Sequence, residues 1–233
     1  MILTDNTQWF LTEGKSVGLQ TYELIRNQII HGYFAPGMRI SEAEVSRTLK
    51  ISRQPVREAF IKLRDEGLVE VRPQRGTYVT KISIEAVNDA RFIREAVEAD
   101  IIKLLVKNRS HEMVDILRAQ IKQQRLLQEK QLEEFLQLDE LFHRTLSELA
   151  GKGNVWKFIA GTKAHFDRVR YLASNHKPIQ PLVDQHESIV EAIAERDTTL
   201  ARKAIRSHLQ VVLQDLPVLI SQQPEIFIDK GGR

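Results

Sequence analysis

The chain has 233 residues, no cysteine and a formal net charge of +3. This length suits one large or two ordinary domains, and the absence of cysteine excludes disulfides, thiolate metal sites and cysteine nucleophiles. No apolar run reaches the roughly 20 residues of a membrane helix, and the polar N-terminus lacks the layout of a secretory signal, so we expect a cytoplasmic protein without a membrane partner. The positive charge is concentrated near the N-terminus. Between Arg39 and Lys81 there are ten basic and six acidic residues, which favours binding to a polyanion.

The N-terminal segment divides into an arm and a first helix. Residues 1–16 show no sustained hydrophobic period and are predicted to form a flexible arm. Apolar residues then recur on one helical face over residues 19–30, and Gly32 is typical of a residue that ends a helix.

Two further short helices follow. Ser41 and Glu44 fit a capping box, in which each side chain satisfies a backbone amide of the other, and this second helix is predicted to reach Leu49. A third helix is predicted to begin at Ser52 or Arg53, and the Ser52 hydroxyl is expected to accept a hydrogen bond from the first turn. Two short helices joined by a few residues predict a helix-turn-helix, whose second helix enters a DNA major groove.

The third helix carries base-reading chemistry in its first turns. Its packed face is predicted from helical spacing: Val56, Phe60 and Leu63. Its opposite face carries three polar residues: Arg53, Gln54 and Arg57. Pro55 lies inside the first turn, where no amide is lost. Arginine reads guanine and glutamine reads adenine by paired hydrogen bonds, and either side chain can bind phosphate instead. Taken by itself, however, this stretch is also compatible with an ordinary surface helix whose charges are solvated.

A hairpin follows the third helix. Residues 68–71 and 77–80 alternate in polarity as strands do, and the turn between them carries Arg75 and Gly76. Glycine allows close backbone approach, and arginine at a hairpin tip can enter a minor groove or bind phosphate. The hairpin is therefore interpreted as a wing, with a solvated hairpin tip as the alternative.

Together these motifs resemble the winged helix-turn-helix of GntR-type bacterial transcription regulators over residues 19–80. The matching residues are Ile29, Gly32, Pro36, Gly37, Ser41, Glu42, Ser52, Arg53, Pro55, Val56, Arg57, Glu58, Ala59, Leu63, Glu66, Gly67, Leu68, Val69, Arg75, Gly76 and Val79. The resemblance implies that a subset faces operator DNA: Arg53, Gln54, Pro55, Arg57, Arg75 and Gly76. We add Ser52 because it begins the reading helix. Ala43 is a departure, since some members have arginine there. The DNA-binding domain is assigned to residues 17–82.

The remaining residues change character and predict an all-helical domain over residues 83–222. Six helices are expected, at 84–107, 110–130, 132–150, 153–174, 181–195 and 198–220. Residues 223–233 are predicted to be a disordered tail. The predicted fold class is therefore mainly α: a winged helix-turn-helix followed by an all-α six-helix bundle that acts as the effector domain.

Four side chains in the helical domain form a candidate metal site. Asp139 and His143 are four residues apart and share an apolar helical face, while His186 and His208 lie on apolar faces of the last two predicted helices. Three histidines and one aspartate suit a borderline divalent ion such as zinc or nickel. The alternative is that each histidine is an ordinary core residue.

The same spacing, with Arg94 and Glu98 in the stretch 92–98, resembles the FCD ligand-binding domain of the FadR subfamily. The expected number of six helices resembles its VanR-like branch. The resemblance implies that Asp139, His143, His186 and His208 bind a metal, with zinc expected, beside a small carboxylate. Arg94 is a candidate for pairing with that carboxylate, or alternatively with Glu98. His165 and Arg168 are further candidates for the effector cavity.

These features predict a homodimeric transcription regulator that represses a small catabolic operon. Its partners would be a pseudo-palindromic operator and a small carboxylate or sugar-acid effector. A metal-dependent enzyme that uses the three histidines and the aspartate is one alternative. A DNA-binding module whose helical domain only dimerises, with the histidines as core residues, is another.

Overall fold

The computed structural model describes residues 11–175 and 177–228. These residues divide into two compact units, the first running to Ser83 and including Glu225–Ile228, and the second running from Ile84 to Pro224. Within this part of the chain there are ten α-helices, and none is long and apolar enough to cross a membrane. Of the predicted N-terminal arm, residues 1–10 lie outside the described residues. Thr12 both donates to and accepts from the side chain of Gln20.

The first unit is built on three helices: α1 (Val17–Ile30), α2 (Glu42–Leu49) and α3 (Arg53–Asp65). Ile25, Ile29, Val56, Phe60 and Leu63 are all buried, as their helical spacing predicts, so the apolar stripes of α1 and α3 supply this core. The face of α3 that remains is therefore solvent-facing.

The helix boundaries agree with the sequence better than the predicted caps do. Ser41 and Ser52 occupy the N-cap positions of α2 and α3, but neither side chain makes a capping hydrogen bond, so the predicted capping box and the predicted Ser52 bond are wrong. Extended backbone at both residues starts each helix. Lys50, with φ of 54°, adopts the left-handed conformation that ends α2 and turns the chain into α3.

Two small sheets complete the first unit. The strands are β1 (Arg39–Ile40), β2 (Val69–Arg72), β3 (Gly76–Val79), β4 (Ile82–Ser83) and β5 (Phe227–Ile228). The antiparallel sheet has the order β1-β3-β2, and Arg72 pairs with Gly76 at the end of the β2–β3 hairpin. Sequence periodicity predicts only this hairpin, because β1 has only two residues.

The second sheet corrects the predicted disordered tail. Residues 224–226 form a 3₁₀ turn, and β5 pairs in parallel with β4, placing Phe227 beside Ile82. Phe227 is buried, so its aromatic side chain anchors residues 224–228, a segment whose sequence is too short and polar to predict ordered structure. The prediction is wrong for residues 224–228, and residues 229–233 lie outside the described chain.

The second unit is helical throughout. Its helices are α4 (Ile84–Asn108), α5 (His111–Arg125), α6 (Leu132–Leu149), α7 (Gly153–Thr162), α8 (Ala164–Ser174), α9 (Gln180–Ala194) and α10 (Thr198–Gln222). α10 packs along α4 and α9, and one hydrophobic core includes Ile102, Leu117, Phe142, Val190 and Ile205. Helices α6, α9 and α10, which carry the candidate metal ligands, therefore contribute to one core.

The described part of this unit has seven helices, so the predicted number of six is wrong. The resemblance to the VanR-like branch rested on that number and is therefore no longer supported by it. The predicted helix 153–174 is broken at Lys163, whose φ and ψ are −99° and 11°. The Thr162 hydroxyl donates to the Ile159 carbonyl, and the buried Lys163 ammonium contacts Asp167 and Glu140 at 2.7 Å each. The hydrophobic period continues through the break, so spacing alone did not reveal it.

Candidate functional site

The first half of the site is the exposed face of α3. Arg53, Gln54 and Arg57 are exposed, while Val56 on the opposite side is completely buried. Gln54 donates to the Glu58 carboxylate at 3.0 Å, which holds its amide against the helix. Two arginines and a glutamine on the first two turns form the group that can reach base edges and phosphates.

Ser52 and Pro55 lie at the start of this helix, one exposed and the other half-buried. Proline in the first turn costs no intrahelical hydrogen bond. Both residues therefore shape the end of the helix that carries the three polar side chains.

The wing is stabilised by contacts within the hairpin. Arg75 is exposed at the tip, and its backbone carbonyl accepts a hydrogen bond from the Tyr78 hydroxyl at 3.2 Å. The Arg72 guanidinium lies 4.3 Å from the centre of the Tyr78 ring. Gly76 has φ of +109°, and a Cβ there would lie 2.8 Å from Arg39 Nε. The turn therefore needs glycine, and it places an additional exposed cation, Arg39, beside the wing.

Arg39 was not among the predicted contact residues. Its strand has only two residues, too few for a hydrophobic period that would show which way each side chain faces. Its guanidinium lies beside Gly76, so it joins Arg75 as an exposed cation of the wing.

The second half of the site is a buried cluster in the second unit. Helix α6 supplies Asp139 and His143, α9 supplies His186 and α10 supplies His208, and none exposes more than 8% of its surface. One ligand atom from each residue lies within 4.8 Å of all the others. The structure therefore brings the four predicted metal ligands together.

The three histidines meet through their Nε2 atoms. His208 Nε2 lies 3.2 Å from both His143 Nε2 and His186 Nε2. Asp139 Oδ1 lies 3.4 Å from His186 Nε2 and 4.0 Å from His143 Nε2. Ligand nitrogens around a tetrahedral zinc ion are about 3.3 Å apart, given Zn–N bonds near 2.05 Å. The spacing suits a single small cation among the four groups.

The other ring nitrogen of each histidine faces an oxygen. His143 Nδ1 lies 2.6 Å from Glu98 Oε2, and His186 Nδ1 lies 2.7 Å from Gln124 Oε1. His208 Nδ1 lies 2.9 Å from the amide oxygen of Gln185. Since these oxygens accept, each Nδ1 carries the proton, and the three Nε2 lone pairs point at one another.

Two of these oxygens are themselves held in place. The Gln124 amide nitrogen donates to the Leu138 carbonyl at 3.3 Å, which turns its oxygen toward His186. Glu98 Oε1 accepts from Arg94 Nε at 2.7 Å, and both side chains are 2% exposed. Burial raises the pKa of Glu98, but the Arg94 charge and the hydrogen bonds that Glu98 accepts from Arg94 and His143 together outweigh burial and lower that pKa to about 2. Glu98 therefore remains an acceptor.

The electrostatics select the protonation states that metal ligands need. Burial raises the pKa of Asp139, but its surroundings, above all the charge of Arg170, hold that pKa well below its usual value. Burial lowers the pKa of His186, and burial together with the neighbouring histidines lowers the pKa of His208 further. An ionised carboxylate and neutral imidazoles are the forms that bind a divalent cation.

The donor set fits a metal such as zinc. The unprotonated Nε2 of His208 lies 3.2 Å from the unprotonated Nε2 atoms of both His143 and His186, so these lone pairs repel one another, and a cation among them removes the repulsion. Each imidazole also has the oxygen partner at Nδ1 that is typical of metal-binding histidines.

A cavity of about 260 Å³ borders the cluster, and Asp139 and His208 form part of its wall. Its remaining polar lining includes Arg94, Arg170 and Gln185. A ligand in this cavity would therefore lie directly beside the four-residue cluster.

The predicted effector residues occupy different positions. Arg94 lines the cavity, but its guanidinium is paired with Glu98, which is the alternative that its spacing allowed. His165 and Arg168 are buried on α8 but do not line the cavity. Burial lowers the pKa of Arg168 to about 10.

Sequence reasoning missed Arg170, which does line the cavity. Its Nη1 donates to Asp139 Oδ2, and its Nε is buried without a hydrogen-bond partner among the described residues. Arg170 follows Phe166 by one helical turn, and both residues line the cavity, so their spacing of four was an available signal.

Gln124 and Gln185, which orient two histidines, were also missed. Gln124 is completely buried although it belongs to a Gln- and Lys-rich run that is typical of a solvated helix face. Helix α5 ends within this run, at Arg125, before the predicted end at residue 130.

Comparisons with known proteins agree with both units. Residues 18–79 match the family of bacterial regulatory proteins called gntR, and residues 89–211 match the FCD domain. The chain is 37% identical to the HTH-type transcriptional repressor RspR of Escherichia coli strain K12, over 98% of this chain and all of that protein. It is 38% identical to an HTH-type transcriptional regulator in an unstable DNA locus of Streptomyces ambofaciens, over 93% of this chain and 92% of that protein.

Solved structures show the same fold. E. coli McbR/YncC has a TM-score of 0.74 at 18% identity and covers 89% of this chain and 99% of its own. A GntR regulator from Rhodococcus sp. RHA1 has a TM-score of 0.67 at 22% identity, covering 87% and 99%. The families and relatives are transcription regulators and not enzymes. The chain belongs to the GntR family of bacterial transcription regulators and carries an FCD domain.

Proposed function

We propose that this regulator is a cytoplasmic homodimer that represses a catabolic operon until a small organic acid binds beside a metal in its FCD domain. The observation that carries the proposal is the cluster of Asp139, His143, His186 and His208, which borders a cavity in the same chain as a DNA-reading helix. The word repressor in the name of RspR supports the direction of control.

DNA recognition is assigned to the exposed face of α3 and to the wing. Arg53, Gln54 and Arg57 would reach base edges and phosphates in the major groove, and Arg75 would hold the adjacent backbone or minor groove. Gly76 permits the close approach of the wing. Two copies related by a two-fold axis would read a pseudo-palindromic operator with half-sites about one helical turn apart or less.

The metal is proposed to be zinc, with nickel or another divalent ion as alternatives. His143, His186 and His208 would each supply Nε2, and Asp139 would supply a carboxylate oxygen. When bound, the ion supplies positive charge that attracts a carboxylate ligand. Glu98, Gln124 and Gln185 hold the three rings in the tautomer that leaves Nε2 free.

The effector is proposed to be a small organic acid in the adjacent cavity. Arg94 lines the cavity and also holds Glu98, which in turn holds His143, so ligand and metal ligands share one chain of contacts on α4 and α6. Since α4 follows the first unit directly in sequence, a ligand that favours one position of α4 can change operator affinity by linkage.

The test uses the full chain, loaded with zinc, and an operator selected from random DNA by the purified protein. Fluorescence anisotropy measures operator affinity with each member of a panel of carboxylates. We expect at least one acid to change the affinity of the wild type and to lose its effect in His208→Ala. If no acid changes operator affinity, the proposed effector control is wrong. If chelation also leaves the melting temperature unchanged, the histidines are core residues and the domain serves dimerisation.

A further inference from the structure

The cavity beside the cluster has a mainly apolar wall. Its larger apolar side chains come from four helices and the segment before α9: Phe135, Phe166, Ile179, Leu182, Leu209 and Val212. Such a wall stabilises a ligand by removing apolar surface from water, and it offers no hydrogen bonds to hydroxyl groups.

The polar groups around the cavity are largely engaged with one another. The pairs are Arg94 with Glu98, Gln185 with His208, Lys177 with Asp215, and Arg170 with Asp139. A ligand with several hydroxyl groups would have to break these pairs or bury its hydroxyls without partners, and either change is unfavourable.

Arg170 is the exception. Its side chain is 15% exposed and gives one nitrogen to Asp139, but its Nε is buried without a partner among the described residues. Guanidinium is the group that best binds a carboxylate. Arg170 lines the cavity beside its partner Asp139, so its guanidinium can bind one anionic group of a ligand there.

The cavity volume sets the size of the ligand. An apolar cavity of about 150 Å³ holds benzene, and sites for drug-sized ligands begin near 300 Å³. A cavity of about 260 Å³ thus accepts a benzene-sized body with a short acidic side chain.

We propose that the effector is a monocarboxylate with an apolar aromatic or branched aliphatic body, and not a sugar acid. The carboxylate lies at Arg170 and the cluster, and the apolar body lies against Phe166, Leu182 and Val212. This inference rests on the proposed acid-responsive function and narrows its chemical class.

The experiment measures binding to the zinc-loaded full chain by isothermal titration calorimetry. Three probes are compared at equal concentrations: phenylacetate, which has an apolar body and a carboxylate; gluconate, a sugar acid; and 2-phenylethanol, which lacks the carboxylate. We expect phenylacetate to bind at least about tenfold more tightly than either of the others, since a site that matches both ends of a ligand discriminates by such factors.

Two variants at leucine test the location. Leu182→Gln places an amide in the apolar wall and should weaken phenylacetate binding by about tenfold. Leu126→Gln makes the same change at a leucine that is 75% exposed and does not line this cavity, and it should leave binding unchanged. Equal loss in both variants would overturn the assignment of the cavity.

The possible results separate this inference from the proposed function. If gluconate binds and phenylacetate does not, the inference is wrong while acid-responsive regulation stands. Equal binding of 2-phenylethanol and phenylacetate would overturn the role of the carboxylate. If neither acid binds the zinc-loaded chain and no carboxylate changes operator affinity, the inference and the proposed effector control both fail.

Discussion

Removing the two arginines from the first turns of α3 should abolish specific operator binding without harming the fold. Arg53 and Arg57 are exposed, and neither makes an intramolecular hydrogen bond or ion pair within the described chain, so their donors are available to DNA. The double variant Arg53→Ala with Arg57→Ala therefore leaves no buried group without a partner. The melting temperature should change by no more than about 2 °C, as for other surface substitutions.

The loss of affinity follows from the number of contacts. A good arginine contact to a base is worth about 1–3 kcal/mol, and the proposed homodimer would lose four such side chains, so the expected loss is at least about 4 kcal/mol. At about 1.4 kcal/mol per tenfold, this is a loss of about 10³-fold, which brings specific binding close to the non-specific level.

The assay is fluorescence anisotropy with the selected operator and with a scrambled duplex at one salt concentration. Arg64→Ala is the matched control, because Arg64 lies on the last turn of the same helix and is exposed and paired with Asp65 at 3.1 Å. Its operator affinity should stay near that of the wild type. A double variant within threefold of the wild type, or an equal loss in the control, would refute the assignment of α3 as the reading helix.

Three further predictions concern the wing and the support of the cluster. Gly76→Ala should lower the free energy of unfolding by about 1–3 kcal/mol, because φ of +109° is strained for alanine, while the exposed Arg39 side chain can move away from the added Cβ. Urea unfolding measures this, and an unchanged midpoint would contradict it. Arg75→Ala should reduce the slope of log affinity against log salt by about 1 per chain if Arg75 binds phosphate, and a slope equal to that of the wild type would rule out this contact. Arg94→Met should lower the free energy of unfolding by about 3–5 kcal/mol, because it leaves the charge of Glu98, which is 2% exposed, buried without its arginine partner. In the double variant Arg94→Met with Glu98→Leu, thermal unfolding should show that part of this stability returns. No recovery would show that loss of the ion pair is not the cause.

The DNA-reading unit follows closely from its sequence. Val56, Phe60 and Leu63 recur at helical spacing and are buried, which leaves Arg53 and Arg57 in solvent as predicted. Local patterns suffice here because the chemistry lies on one helix and one hairpin.

The cluster in the second unit depends on contacts distant in sequence. Spacing placed Asp139 and His143 on one face, but only the packed helices show that His186 and His208 reach them. His165 and Arg168, which were expected to line the cavity, do not line it, whereas Arg170 on the same helix does. The break at Lys163, just before this helix, was also unpredicted. Backbone breaks of this kind leave the hydrophobic period unchanged, so they were not visible in the sequence.

We propose that the four-residue cluster of Asp139, His143, His186 and His208 holds one metal ion per chain. Elemental analysis by mass spectrometry of the purified full chain tests this directly, alongside the variants His186→Ala and His111→Ala. His111 is an exposed histidine at the start of α5 and serves as the matched control. We predict one zinc or other divalent ion per chain in the wild type and in His111→Ala, and little or none in His186→Ala. A folded wild type that neither contains a metal nor takes one up from added zinc would contradict the claim.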